Sequence, residues 1–159
     1  MGTSSFFDYP VPSGEEPSDE PLFMPGRTEA QWEMLLAHTE RRAFRAGEDV
    51  IRRGEIDRAL YIVVEGSLEA QLTEGRGRSG VVAMPPGSVI GEIAFFDGRP
   101  RAMTVRAVTA GELLRLSAEA FDALAATDPE LARAMLFDLA RILAIRLRQT
   151  DEFIRGWLG

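Results

Sequence analysis

The chain has 159 residues, 45% hydrophobic and 27% charged, the balance of one ordinary globular domain with its own core. With no cysteine and a single histidine, His38, it excludes disulfides, thiol catalysis, thiolate or histidine metal clusters and any catalytic triad. The net charge is −7, but Asp8, Glu15, Glu16, Asp19 and Glu20 stand in residues 1–26 with no basic residue, so the remainder carries only −2. A mildly acidic body without a basic stripe argues against nonspecific nucleic-acid binding. No run approaches the ~18 consecutive apolar residues of a membrane span. The N-terminus lacks the basic and apolar regions of a secretory signal, so the cytoplasm is the expected compartment.

Residues 1–26 hold five of the nine prolines, Pro10, Pro12, Pro17, Pro21 and Pro25, in a Ser, Gly and Glu background. Such a segment forms neither helix nor ladder and reads as a flexible leader. Residues 27–159 read as one domain. Thr28 caps a helix through about His38, with Trp32, Leu35 and Leu36 on one face and Glu29 and Glu33 on the other. His38, at the helix end, reads as a surface residue. From Arg41 the apolar period changes to two, giving Arg42–Phe44, Asp49–Arg52, Leu60–Val64, Ser67–Thr73 and Val81–Met84 as strand-like pieces. Glycines and Pro85-Pro86-Gly87 punctuate them, as in a sandwich or barrel.

The next stretch, Gly91 to Val105, carries the chemistry. Ile93–Phe96 forms at most a short helix, because Pro100 disfavours helical backbone at Arg99. The N-terminus of that helix offers unpaired N–H groups and partial positive charge, which suits a phosphate. Arg101 adds an always-charged bidentate clamp for the same group. Glu92 would repel a phosphate and is suited instead to accept a hydrogen bond from a sugar hydroxyl. Phosphate plus ribose means a nucleotide. The bland readings are that Arg101 pairs with a surface acid such as Asp97 and that Glu92 is an exposed helix-start residue favoured by the dipole.

Gly91, Glu92, Ile93 and Ala94, then Pro100, Arg101, Ala102 and Thr104, resemble the phosphate-binding cassette of the cyclic nucleotide-binding domain family. The string Phe44-x-x-Gly47-Glu48, Gly54-Glu55, Leu60-Tyr61-Ile62-Val63 and Gly66 resembles that family's opening strands, except that Asp57-Arg58 stands where the family often has Gly-Asp. The resemblance spans about Glu29 to Arg148. It implies a mainly β fold with flanking α-helices, an eight-stranded jelly-roll barrel with the cassette as its internal helix. It also implies a non-enzymatic module of signal transduction, as in bacterial regulators, with Gly91, Glu92, Ile93, Ala94, Arg101, Ala102, Met103 and Thr104 as ligand-binding residues. Family members that prefer cGMP often carry Thr or Ser where Ala102 stands, which tilts the ligand toward cAMP. Met103 departs from the family's small residue. On a strand it would share a face with Arg101 and either pack under the base or fill the pocket. A degenerate barrel used for dimerisation or docking, without small ligand, is the alternative.

After Thr104–Val108 and Leu113–Leu116, Ser117 caps a short helix with Phe121 and Leu124 inward. Asp128-Pro129 then opens a long helix over about 129–155. Its apolar stripe of Leu136, Leu139, Leu143, Leu147, Ile154 and Trp157, joined by Met135, Ile142 and Ile145, is too wide for one barrel face. Two surfaces are expected, the barrel and either a homodimer partner or the ligand. Phe153 or Trp157 is the expected cap on the base. No helix-turn-helix follows in these residues, so direct DNA binding is not expected, and the downstream partner protein is not encoded here.

Overall fold

The computed structural model describes residues 21–73 and 79–159, without the side chains of residues 72, 73, 79 and 157. The leader up to residue 20 and the Gly75-Arg76-Gly77 turn lie outside the described residues.

Eight strands form two four-stranded antiparallel sheets. The first runs β1 (Glu40–Phe44), β8 (Gly111–Ser117), β3 (Ala59–Glu65) and β6 (Val89–Ile90); the second runs β2 (Asp49–Ile51), β7 (Thr104–Ala107), β4 (Leu68–Thr73) and β5 (Ser79–Met84). This is the eight-stranded β-rich architecture with flanking helices that the resemblance implies. β6 escapes the period-two reading because two residues show no alternation.

β3 explains how the layers are joined. Its run Ala59 to Val63 is buried throughout, since successive side chains face opposite layers. Tyr61 and Val63 enter the core between the sheets, with Phe44, Leu68, Val105 and Leu113. Leu60 and Ile62 face the other way, into a second core with Leu114, Leu116, Leu124 and the long helix. A strand covered on both faces loses the polar half of its pattern.

Four helices complete the chain: α1 (Glu29–Ala37), α2 (Glu92–Asp97), α3 (Ala118–Thr127) and α4 (Pro129–Leu158). Thr28 and Gln31 close a full capping box at α1, and Ser117 caps α3 through the Ala120 amide. His38 is half-buried rather than exposed, because its Nδ1 lies 2.8 Å from the Met34 carbonyl oxygen.

α4 runs three residues past the expected end and, at 30 residues, is about 45 Å long. The sequence stripe divides on it. Met135, Leu139 and Ile142 are fully buried, whereas Leu136, Leu147 and Ile154 are exposed. The buried stretch ends near Arg146, and residues 147–156 are exposed. Asp128 accepts the Leu131 amide at 3.0 Å. Asp128→Ala should cost about 1 kcal/mol through this lost cap. A thermal melt should show a midpoint lowered by about 2–4 °C.

Candidate functional site

α2 sits between β6 and the turn leading to β7, and it is bracketed by two glycines with left-handed backbone, Gly91 (φ 78°) and Gly98 (φ 68°). At Gly91 a side chain is excluded twice over. The positive φ penalises L-residues, and a Cβ would run into the Arg101 guanidinium.

Arg101 crosses from the far half of the cassette and is 4% exposed. Its Nη1 donates to the Gly91 carbonyl at 2.9 Å, and its Nη2 donates to the Ala59 carbonyl at 2.7 Å and to Asp57 Oδ2 at 3.3 Å. The backbone on either side is fixed by the 54–55 turn: Gly54 donates to the Arg101 carbonyl and Arg101 to the Glu55 carbonyl, both at 2.8 Å. The surface pairing with Asp97 does not occur; Asp97 instead accepts the Arg99 amide. Residues 101–103 are not part of β7, which begins at Thr104. Arg101 and Met103 therefore come together through a bend rather than along a strand face.

Glu92 is 5% exposed, so it is not a solvated helix-start residue. Its Oε1 accepts from Nη1 of Arg146, on α4, at 2.5 Å. The same guanidinium donates to the Val89 carbonyl at 2.6 Å and approaches Met84 Sδ at 3.8 Å. α4 thus reaches the site through Arg146. Phe153 does not line it and is exposed; the Trp157 side chain lies outside the described residues.

Gly91, Glu92, Ile93, Ala94, Arg101, Ala102 and Met103 line one cavity, with Ile51 and Val105 completing its floor. Thr104 stands outside it, where its Oγ1 accepts the Arg53 amide at 3.1 Å. The cavity holds only about 50 Å³. Small-molecule sites run to roughly 300–1,000 Å³. Arg146 bonds to the pocket's acid, and Met103 stands in its wall. Among the described residues no group of acids and histidine is placed to hold a metal ion. No helix among them is long and apolar enough to cross a membrane.

The sequence profile of the cyclic nucleotide-binding domain matches residues 41–128, more than half of the chain and all of this barrel but its first residue. The chain belongs to the cyclic nucleotide-binding domain family. It is 32% identical over 132 residues to the cyclic AMP receptor protein of Thermus thermophilus, covering 82% of this chain and 59% of that protein. The crystal structure of the Thermus thermophilus catabolite activator protein superposes with a TM-score of 0.74 at 29% identity, over 87% of this chain and 63% of that one. A cyclic nucleotide-binding domain from Methylobacillus flagellatus shares the fold at 20% identity, with a TM-score of 0.76 over 87% of this chain and 79% of that one. The chain therefore spans little more than half the length of its curated relative.

Two participants in this family member's site escaped the sequence reading. Arg146 is one of many arginines on a helix, and only its position one turn past Ile142 marks it. Asp57 is the other, in the dipeptide that departs from the family pattern. It accepts from Arg115 at 2.7 Å, from the Tyr61 hydroxyl at 2.9 Å and from Arg101. Its neighbour Arg58 donates to the carbonyls of Phe95 and Phe96, at 2.9 and 3.3 Å, and so satisfies the end of α2. The altered turn thus grips both halves of the cassette.

Burial pushes the Asp57 carboxyl up, but the hydrogen bonds from Arg115 and Tyr61 and the charges of Arg115 and Arg101 outweigh it, so the net direction is down. Burial, then the adjacent Asp57, raises the Tyr61 phenol. A carboxyl depressed in the folded state adds stability above its unfolded pKa and loses it as pH falls through the folded value. Stability should therefore decline as pH drops below about 4, the ordinary aspartate value. Denaturant titrations at stepped pH should show a shallower acid decline for Asp57→Asn.

Proposed function

We propose that this chain is a cyclic-nucleotide sensor, with cAMP preferred over cGMP. The observation that carries the reading is that one buried cation, Arg101, and one buried anion, Glu92, converge on a single cavity at the N-terminal end of a six-residue helix. Arg101 and the cassette amides take the cyclic phosphate. Glu92 accepts from the ribose hydroxyl. Ala102 offers the base no hydroxyl, which favours adenine over guanine. The names of the relatives, a cyclic AMP receptor protein among them, point the same way.

Arg146 bonds to Glu92, the acid assigned to the ribose, so α4 meets the site at this residue. A nucleotide that engages Glu92 changes what Arg146 holds, so ligand state and helix position are coupled. Leu136, Leu147 and Ile154, exposed on α4, supply the surface through which a second copy or a downstream protein reads that shift. Coupling of this kind is commonly about 1–3 kcal/mol.

Met103 supports a second reading, a barrel of the same fold that docks or dimerises without small ligand, because its side chain takes up part of the pocket wall. Isothermal titration with cAMP and then cGMP separates the two. Micromolar or tighter binding, stronger for cAMP, is expected. No heat with either nucleotide, in folded protein freed of ligand, would reject the sensor reading in favour of the docking module.

A further inference from the structure

Asp57-Arg58, the dipeptide that departs from the family pattern, sets the charge around the phosphate clamp. Arg58 is spent on the carbonyls of Phe95 and Phe96. Asp57 stands between two other arginines. Its Oδ1 accepts from Arg115 Nη2 at 2.7 Å, and its Oδ2 accepts from the Tyr61 hydroxyl at 2.9 Å and from Arg101 Nη2 at 3.3 Å. One carboxylate thus faces two guanidiniums, and the three groups keep one positive charge in excess.

The carboxylate is shared unequally. Ion-paired N–H···O bonds run at about 2.7–2.9 Å, so the Arg115 contact is a full one and the Arg101 contact is long. Arg101 takes its shorter bonds from neutral groups, the Gly91 and Ala59 carbonyls. Those bonds fix the guanidinium without cancelling its charge. With Asp57 they use three of its five N–H groups, and those on Nε and the second on Nη1 remain for an anion.

Arg115 owes its place to the sheet. On β8 it lies opposite Tyr61 of β3 on one side and Glu40 of β1 on the other. Side chains paired across antiparallel strands share a face, so this register brings Arg115 and Tyr61 to the same carboxylate just before β3. Glu40 is a weak rival for Arg115, at 3.8 Å and with its side chain 81% exposed. Asp57 and Arg115 are both more than two-thirds buried, so their pairing is screened less than a surface pair. The Arg101 guanidinium stands over the Tyr61 ring, 5.6 Å from its centroid, which joins the phenol and the three charges into one cluster. Arg115 does not line the cavity, so it reaches a ligand only through Asp57 and Arg101.

We infer that Arg115 is a positioning residue for cyclic-nucleotide binding: by taking up the Asp57 charge it keeps that carboxylate from neutralising Arg101, so the clamp meets the phosphate as a cation. The inference rests on the cyclic-nucleotide reading above and deepens it. Without Arg115 the Asp57 charge falls to Arg101, and their long contact closes. An incoming phosphate then competes with a carboxylate for one guanidinium, and affinity drops.

The test is a double-variant cycle on the full chain, read by calorimetric titration with cAMP. Arg115→Met is expected to raise Kd about tenfold in the parent background, a coupling of the size usual within one charged network. In the Asp57→Asn background no carboxylate is left to close on Arg101, and the same substitution should change Kd by less than about twofold. A charge acting from a distance, or a general loosening of the fold, gives the same factor in both backgrounds. Equal factors therefore overturn the inference. Arg115→Gln replaces Arg115→Met in the cycle should the latter not fold. If the parent binds no cyclic nucleotide, the sensor reading falls by itself, and denaturant stability decides the role of Arg115. The coupling between Asp57 and Arg101, from Asp57→Asn, Arg101→Ala and their double variant, must then grow by at least about fivefold in the unfolding constant when Arg115→Met is added. Equal coupling with and without Arg115→Met overturns it.

Discussion

Arg101→Ala is expected to lower cAMP affinity by a hundredfold or more while leaving the protein folded. Two charge-assisted hydrogen bonds to the phosphate are lost, each worth about 1.5–3 kcal/mol, and each 1.4 kcal/mol is a factor of ten. The substitution also has a structural cost that must be separated from the binding loss. Arg101 satisfies the carbonyls of Gly91 and Ala59 and neutralises Asp57, and it lies in the buried interior. Removing it leaves those acceptors short of partners, which should cost about 2 kcal/mol and lower the melting midpoint by roughly 4–8 °C. Arg101→Lys keeps the charge but cannot span two carbonyls and a phosphate at once, so it should fall between the two. Calorimetry and melts on the same samples check this. An alanine variant that still melts within a degree or two of the parent and binds cAMP within threefold would place the phosphate elsewhere.

What the sequence displayed about this protein, and what it hid, follows from the range of the interactions involved. Local signals were legible. Thr28, Ser117 and Asp128 cap their helices as side-chain chemistry dictates, and Pro129 opens α4 at its first residue. Seven of the eight cassette residues singled out line one cavity, because the motif is contiguous and the turn at Gly91 and Gly98 is set by local backbone. Long-range partners were not legible. Arg146 and Glu92 are separated by 54 positions and Asp57 and Arg101 by 44, and nothing in either local pattern points across that distance. The α4 stripe failed for a related reason. Periodicity shows which residues share a face, but the burial of Met135 and exposure of Leu147 depend on where the barrel ends beneath the helix. Residues 22–24 were grouped with the leader by their prolines. Phe23 nevertheless belongs to the core cluster that α4 and the barrel share, a membership that only distant residues can confer.

The Arg146–Glu92 pair should behave as a unit whose halves cannot be removed separately without penalty. Their side chains are 20% and 7% exposed, so each loses most of its hydration on folding. Breaking such a pair by removing one member typically costs about 3–5 kcal/mol, whereas replacing both by uncharged groups of similar size is often close to neutral. Arg146→Met strands the Glu92 carboxylate, and Glu92→Gln leaves the Arg146 guanidinium without its counter-charge, on neutral acceptors alone. Each is expected to destabilise by about 3 kcal/mol, and the double variant by well under the sum, in a chemical-denaturation cycle. Binding should diverge where stability does not. In Arg146→Met the Glu92 oxygen is released for the ribose hydroxyl, so cAMP should bind about tenfold tighter, repaying part of the lost stability in proportion to occupancy. In Glu92→Gln the acceptor is neutral and weaker, and cAMP should bind about tenfold more weakly. Equal losses of affinity in both single variants would show that Arg146 touches the nucleotide rather than competing with it. α4 would then close over the ligand through this residue.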